Sequence, residues 1–210
     1  MLDFPENDLA AQLRLIKRSL HGMMNGPVSN SMRQMGLTYK VNFGVELPRL
    51  QEFATTLPHT YELAAALWKE TIRECRLLAG MVMPHEAFDS QLADVWIEQM
   101  QFTEEAECTV MHLFVHLPDA SDKAFEWMAA EADMKQVCGF LLLGRLLAQG
   151  ARLTERDEME LLDHIRTALS AASTVSVRRA AQKALFKFMD LGGREERLGD
   201  KLLTELESSL

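Results

Sequence analysis

Apolar residues recur along the chain at the three- and four-residue spacing of helices that bury one face. Leu9, Leu13, Ile16 and Leu20 share one side of a first helix, Arg14, Lys17 and Arg18 lie largely elsewhere, and Asn7 or Asp8 can cap its start. Gly26-Pro27 reads as the end of that region, 29–35 as a short helix and 36–44 as a loop. Pro48 then opens a helix carrying Leu50, Phe53 and Leu57, which Pro58 closes. No period-two alternation bounded by hairpin dipeptides occurs, so the expected class is all-α.

From residue 60 onward the pattern repeats. Trp68, Trp96 and Trp127 each end a short helix, at intervals of 28 and 31 residues. Each is followed by a second helix, predicted over 71–82, 103–117 and 133–149, and these carry Cys75, Cys108 and Cys138 at intervals of 33 and 30. A fourth pair is predicted over 158–169 and 175–191, and 194–208 is a polar closing helix. Periods of this size mark helical repeats, in which one pair cannot bury its apolar face alone and must stack on a neighbour. The expectation is a single domain over 1–210, a right-handed superhelical stack of antiparallel helix pairs (HEAT-like repeats, an α-α solenoid). Its N-terminal helices and loop occupy 1–58, its repeated pairs 59–192 and its capping helix 193–210. The tryptophans read first as wedges between repeats, the other reading being aromatic faces for bases or cations; the cysteines read as small core fillers.

Composition refines this picture in two places. Three widely spaced cysteines in apolar helical text are reduced thiols and not a disulfide framework, and no secretory leader or bilayer-length apolar run is evident, so a cytoplasmic location is expected. The net charge of −9 is concentrated: residues 81–135 hold two basic and twelve acidic side chains, against nine and eight over 1–80 and eleven of each over 136–210. A uniformly basic protein is excluded, while a local basic face built from either end is not.

Candidate chemistry is sparse. Cys108, His112 and His116 would share a face of one continuous helix and offer zinc ligands, but no fourth ligand accompanies them, so no metal is expected, and no cofactor. No HExxH, phosphate-loop, dinucleotide-binding or serine-hydrolase pattern is present. The basic residues remain. Arg33 and Lys40 flank the early loop, Lys69, Arg73 and Arg76 share one repeat, and Arg178, Arg179, Lys183 and Lys187 crowd the last long helix. Converging on one surface they would bind phosphates; otherwise they are solvated faces or inter-repeat ion pairs.

The run Tyr39-Lys40-Val41-Asn42-Phe43-Gly44-Val45-Glu46-Leu47-Pro48-Arg49, the Leu67-Trp68 pair and the Ile72-Arg73-Glu74 to Leu78-Ala79 segment resemble the DNA alkylation repair enzymes, the HEAT-like-repeat alkylpurine DNA glycosylases. The resemblance is clearest over 39–82 and weaker to about 190. It implies a concave, positively charged channel for duplex DNA and excision of N3- or N7-alkylated purines, whose cationic base leaves readily. A carboxylate then stabilises the oxocarbenium-like sugar while indoles contact the deoxynucleotide. The family's Trp-Trp-Asp-x-Val-Asp segment meets Trp96-Ile97-Glu98-Gln99-Met100-Gln101 here. Trp96 and Glu98 carry over as an aromatic contact and a catalytic acid, whereas Gln101 stands where the essential carboxylate belongs. The family's Trp-Arg-Arg segment meets Gln136-Val137-Cys138-Gly139-Phe140, and its late tryptophan falls near Lys183. Two functions stay open: a monomeric duplex-DNA-binding member with altered or absent glycosylase chemistry, and a protein-interaction scaffold with no nucleic-acid chemistry.

Overall fold

The computed structural model describes residues 5, 8–169 and 173–208, which leaves Asn7, one of the two expected caps, outside the described residues. Among them the chain forms twelve α-helices, and its one β feature is an isolated bridge between Val41 and Ile72. It divides between Phe88 and Asp89 into two compact units, inside the run expected to hold the repeated pairs.

The first unit carries α1 (Leu9–Gly22), α2 (Gly26–Gln34), α3 (Leu47–Ala54), α4 (Tyr61–Trp68) and α5 (Arg73–Val82). Asp8 caps α1 by accepting from the Ala11 amide at 2.9 Å, and Ile16 and Leu20 are fully buried. Gly26-Pro27 begins a helix instead of only ending one. Asn25 accepts from the Val28 amide, and proline in a first turn lacks only an N–H that would have had no helical partner anyway. α3 and α4 pack on α5, and α1 packs on α4.

The loop before α3 is held by a buried ion pair. Glu74 accepts from the amides of Phe43 and Val45, both at 3.2 Å, and from Arg73 Nη1 at 3.1 Å. The same Nη1 donates to the Val45 carbonyl at 2.9 Å, and the Arg73 amide donates to the Val41 carbonyl at 3.0 Å. Apart from their mutual contact, these two charged groups bind amides and a carbonyl of the loop backbone that would otherwise be left unsatisfied out of water. Gly44 completes the turn with φ +72°, where a Cβ would collide with the Asn25 carbonyl oxygen and sit 2.6 Å from the Ser29 amide nitrogen.

The second unit runs α6 (Ser90–Gln99), α7 (Thr103–His112), α8 (Ala120–Met128), α9 (Asp133–Ala148), α10 (Glu155–Ala168), α11 (Val175–Met189) and α12 (Gly193–Glu207). α9 is its hub, packing on α6, α7, α8 and α11. Val137, Phe140, Leu142, Leu143 and Leu147 are buried, so this helix is apolar around most of its circumference, as a helix enclosed by neighbours must be. Gly139 permits the α8 contact: a Cβ there would lie 2.7 Å from both the Ala124 carbonyl oxygen and the Met128 amide nitrogen. The helix expected over 103–117 ends early. At Leu113 the backbone leaves helical geometry (φ −129°, ψ −57°), and Phe114–His116 is a 3-10 turn that lets Phe114 bury against Trp127, ring centroids 5.3 Å apart.

Asp94 fastens α6 to its neighbours. Its carboxylate accepts from Trp127 Nε1 at 2.9 Å and Lys123 Nζ at 3.1 Å, and pairs with Lys135 Nζ at 3.2 Å. Burial alone would raise its pKa, but these hydrogen bonds outweigh that and hold the carboxyl below its ordinary 3.8. Burial lowers and the bonds to Glu126 and Asp94 raise the Lys123 ammonium, with a net rise. The tryptophan that recurs at each first-helix end is a core side chain in all three cases: Trp68, Trp96 and Trp127 are buried.

Two stability predictions follow from these anchors. Glu74→Gln leaves the Arg73 guanidinium buried without its anion, and urea unfolding at neutral pH is expected to show a loss of about 3–5 kcal/mol. A loss below about 1 kcal/mol would show the pair behaving like an exposed one. For Asp94→Asn the expected loss is about 1–3 kcal/mol at pH 7. Because the folded carboxyl titrates below its unfolded value, that stability is present above pH 3.8 and vanishes as pH falls through the depressed folded pKa, so thermal melts of mutant and native protein should converge in acid. A gap that stays constant into acid would contradict this.

Candidate nucleic-acid interface

A groove of about 570 Å³ lies between α7, α9 and α11. Helix spacing builds it: Glu107 and Met111 are one turn apart on α7, Leu141 and Arg145 one turn apart on α9, and Lys183 and Lys187 one turn apart on α11. Its floor is apolar, with Phe140 and Ala184 buried beneath Met111 and Leu141, and Phe186 stands 47% exposed on its wall. α9 crosses α11 at Gly144, where an added Cβ would make ordinary contact with the Ala184 Cα at 3.4 Å. A smaller recess of about 140 Å³ continues from it, lined by Thr103, Ser176 and Arg179 and sharing Glu107, Leu141 and Lys183.

The charge on these walls is mostly positive. Glu107 is the carboxylate of the lining and is engaged by Lys183 in an ion pair. Lys187 pairs with Asp190 at 2.8 Å on the exposed side of α11. Arg145 and Arg179 are exposed, and neither makes an ion pair among the described residues. Burial first, then the charges of Arg145 and His116, pull the His112 imidazole below its ordinary 6.5, so it is neutral at pH 7 and adds no charge.

Arg179 and Lys183, one turn apart on α11, both line the smaller recess, and Lys183 shares the larger groove with Arg145, which sequence reasoning did not single out. The signal for it lies in the α9 pattern, where an arginine interrupts an otherwise apolar stretch. Arg178 points elsewhere, with Nη1 donating to the Ser173 carbonyl at 2.6 Å. In the first unit Arg33, Lys40 and Lys69 are exposed on separate elements. Arg73 corrects the expectation of a phosphate ligand: it is 1% exposed and its guanidinium is committed to Glu74 and Val45, so it holds a loop. Arg76 is half-buried, 4.1 Å from the Trp68 ring centroid, and donates to the Trp68 carbonyl.

Trp96 and Glu98 are separated. Two residues apart on α6, they face different sides; Trp96 is 3% exposed in the core and offers no face to a nucleotide, a correction to its expected aromatic contact. The Glu98 side chain is 69% exposed and its pairing with Lys135, at 3.8 Å, is loose. Gln101 is exposed in the connection leading into Thr103, and its backbone N–H donates to Glu105 at 2.7 Å, a buried carboxylate that also accepts from the Phe102 amide and so caps α7.

The cysteines take no part. All three are buried thiols, and burial pushes Cys75 up to about 12 and raises Cys138 further still. Cys108, His112 and His116 do not share a helical face, because α7 stops at His112; no group of three potential metal ligands occurs among the described residues. No helix among them is long and apolar enough to cross a membrane.

Comparison with known proteins agrees with this architecture. No curated protein sequence matches the chain. A solved structure described as a new family of proteins related to the HEAT-like repeat DNA glycosylases, with affinity for branched DNA structures, superposes with a TM-score of 0.76 at 17% identity, over 84% of this chain and 75% of that one. At that identity the likeness establishes the fold, an all-α HEAT-like repeat. The sequence itself matches the DNA alkylation repair enzyme family over residues 16–185, a match that ends within α11, short of Phe186 and Lys187 on the wall of the larger groove. With most of its length inside that match, and the buried Arg73–Glu74 clamp explaining why the Phe43-Gly44-Val45 loop and the Arg-Glu helix occur together, the chain belongs to the DNA alkylation repair enzyme family.

Proposed function

We propose that the protein binds DNA through the α7–α9–α11 groove and that its alkylpurine glycosylase chemistry is weak or lost. The observation that carries this is the placement of Arg145, Lys183 and Lys187 on one groove, with Arg179 on the recess that shares Lys183, in a chain whose overall charge is −9. Glu107 and Asp190 offset Lys183 and Lys187, whereas Arg145 and Arg179 make no ion pair among the described residues, so a bound anion would relieve the repulsion that these two add. Sugar-phosphate backbone supplies that anion in closely spaced form. The affinity for branched DNA stated for the structural neighbour is compatible with such a groove. Catalysis needs a carboxylate near the anomeric carbon to offset developing positive charge. Gln101 brings an uncharged amide to the position the family motif assigns to that group, and Glu98 lies on a helix face turned away from its tryptophan neighbour. Glu107 is the carboxylate within the groove, and Lys183 already neutralises it.

A second reading, a protein-interaction scaffold, draws on α2, which buries none of its residues and is followed by Met35 at 72% exposure. It predicts a partner held independently of DNA, with the groove cations dispensable.

The test combines binding and turnover. Duplex DNA, with and without methylated purines, should be retained at low salt and lost as salt rises, and replacing Arg145, Arg179 and Lys183 together with glutamine should weaken binding at least tenfold and flatten the salt slope by about 3. Release of 7-methylguanine should stay near the spontaneous rate for the native protein and for Glu98→Gln, and should rise in Gln101→Asp. Undiminished binding by the triple variant would remove the groove from the reading. Strong native release that is abolished by Glu98→Gln or Glu107→Gln would overturn the loss of chemistry.

A further inference from the structure

The cations explain attraction to a phosphate backbone, but they leave the apolar floor unexplained. A surface meant only for paired duplex meets phosphates and sugars, for which lysine, arginine, serine and backbone amides suffice. Here Met111, Leu141 and the half-exposed ring of Phe186 line the same groove as Arg145 on α9 and Lys187 on α11. An exposed phenylalanine has no hydrogen-bonding handle of its own, and exposed apolar area of this kind marks a binding surface when a polar rim surrounds it. Its volume falls within the range of small-ligand sites, wide enough for a planar ring and open along the side.

Resting on the DNA-binding reading above, we propose that this groove receives one unpaired nucleotide, its base against Phe186 and Met111 and its phosphates on Arg145 and Lys187. Charge complementarity selects the occupant. A ligand with an apolar planar face and an anion joined to it by a short polar linker satisfies floor and rim together, and a nucleotide freed from its stack has that form. Every base has a π-face, so contact with Phe186 is tolerant of sequence. Arg145, without an ion pair among the described residues, is available to the phosphate, and the guanidinium also suits the edge of a stacked base. Base pairing opposes capture of a paired base, so selectivity falls on nucleotides already unpaired: bulges, gaps and frayed ends.

The experiment compares three probes with the full-length protein: a fully paired duplex, the same duplex carrying a single-nucleotide bulge, and a four-way junction with every base paired. Native protein should bind the bulge roughly tenfold more tightly than the duplex, as one base-aromatic stack implies. Phe186→Ala, a change at an exposed position, should collapse that ratio towards one. With 2-aminopurine as the bulged base, native protein should change its fluorescence and Phe186→Ala should not. Equal affinity for bulge and duplex, or a bulge preference that survives Phe186→Ala, overturns the proposal while leaving DNA binding standing. A paired junction that gains as much as the bulge, with the same dependence on Phe186, overturns it too, because branch geometry and not a free base would then be recognised. Absence of binding to all three probes defeats the underlying reading instead.

Discussion

The second unit depends on the enclosure of α9. A helix carrying Val137, Phe140, Leu142, Leu143 and Leu147 must be covered on nearly every side, and α6, α7, α8 and α11 provide that cover. The geometry of the groove follows. Gly139 lets α8 approach closely on one flank, and the part of α9 that stays uncovered presents Leu141 and Arg145 between α7 and α11. The cations are therefore positioned by the packing of a core helix and not by a mobile loop, which gives the interface a rigid floor.

The first unit solves a different problem with a buried ion pair. A loop that passes through the interior needs partners for its amides and carbonyls, and Arg73 and Glu74 supply several with two side chains. The Phe-Gly-Val loop and the Arg-Glu helix are therefore tied together by a structural clamp. Family membership rests on the match over residues 16–185, within which the clamp lies.

Helices were legible because apolar periodicity and capping residues are local properties; α4, α8, α9 and α11 lie within a few residues of their expected positions. Local text misled where tertiary packing dominated. The 103–117 segment has helical periodicity throughout, yet burying Phe114 against Trp127 required a break at Leu113. Gly26-Pro27 reads as an end in the sequence, but Asn25 accepts from the Val28 amide and makes it the start of α2. Site residues were harder. Clustering of Arg179 and Lys183 shows in one helix, but Arg145 and Glu107 join them from helices 34 or more residues away, a relation that spacing along the chain does not encode. Trp96 and Glu98 looked like one constellation because they are near in sequence, and two steps along a helix turned them apart.

The most direct test of the central claim, that DNA lies against the α7–α9–α11 groove, is lysine acetylation footprinting read by mass spectrometry with and without bound DNA. Lys183 and Lys187 line the groove, whereas Lys201 on α12 does not, and so serves as an internal control. DNA should slow acetylation of Lys183 and Lys187 severalfold and leave Lys201 unchanged; acetylation of Lys183 and Lys187 at the free-protein rate while DNA is bound would contradict the account.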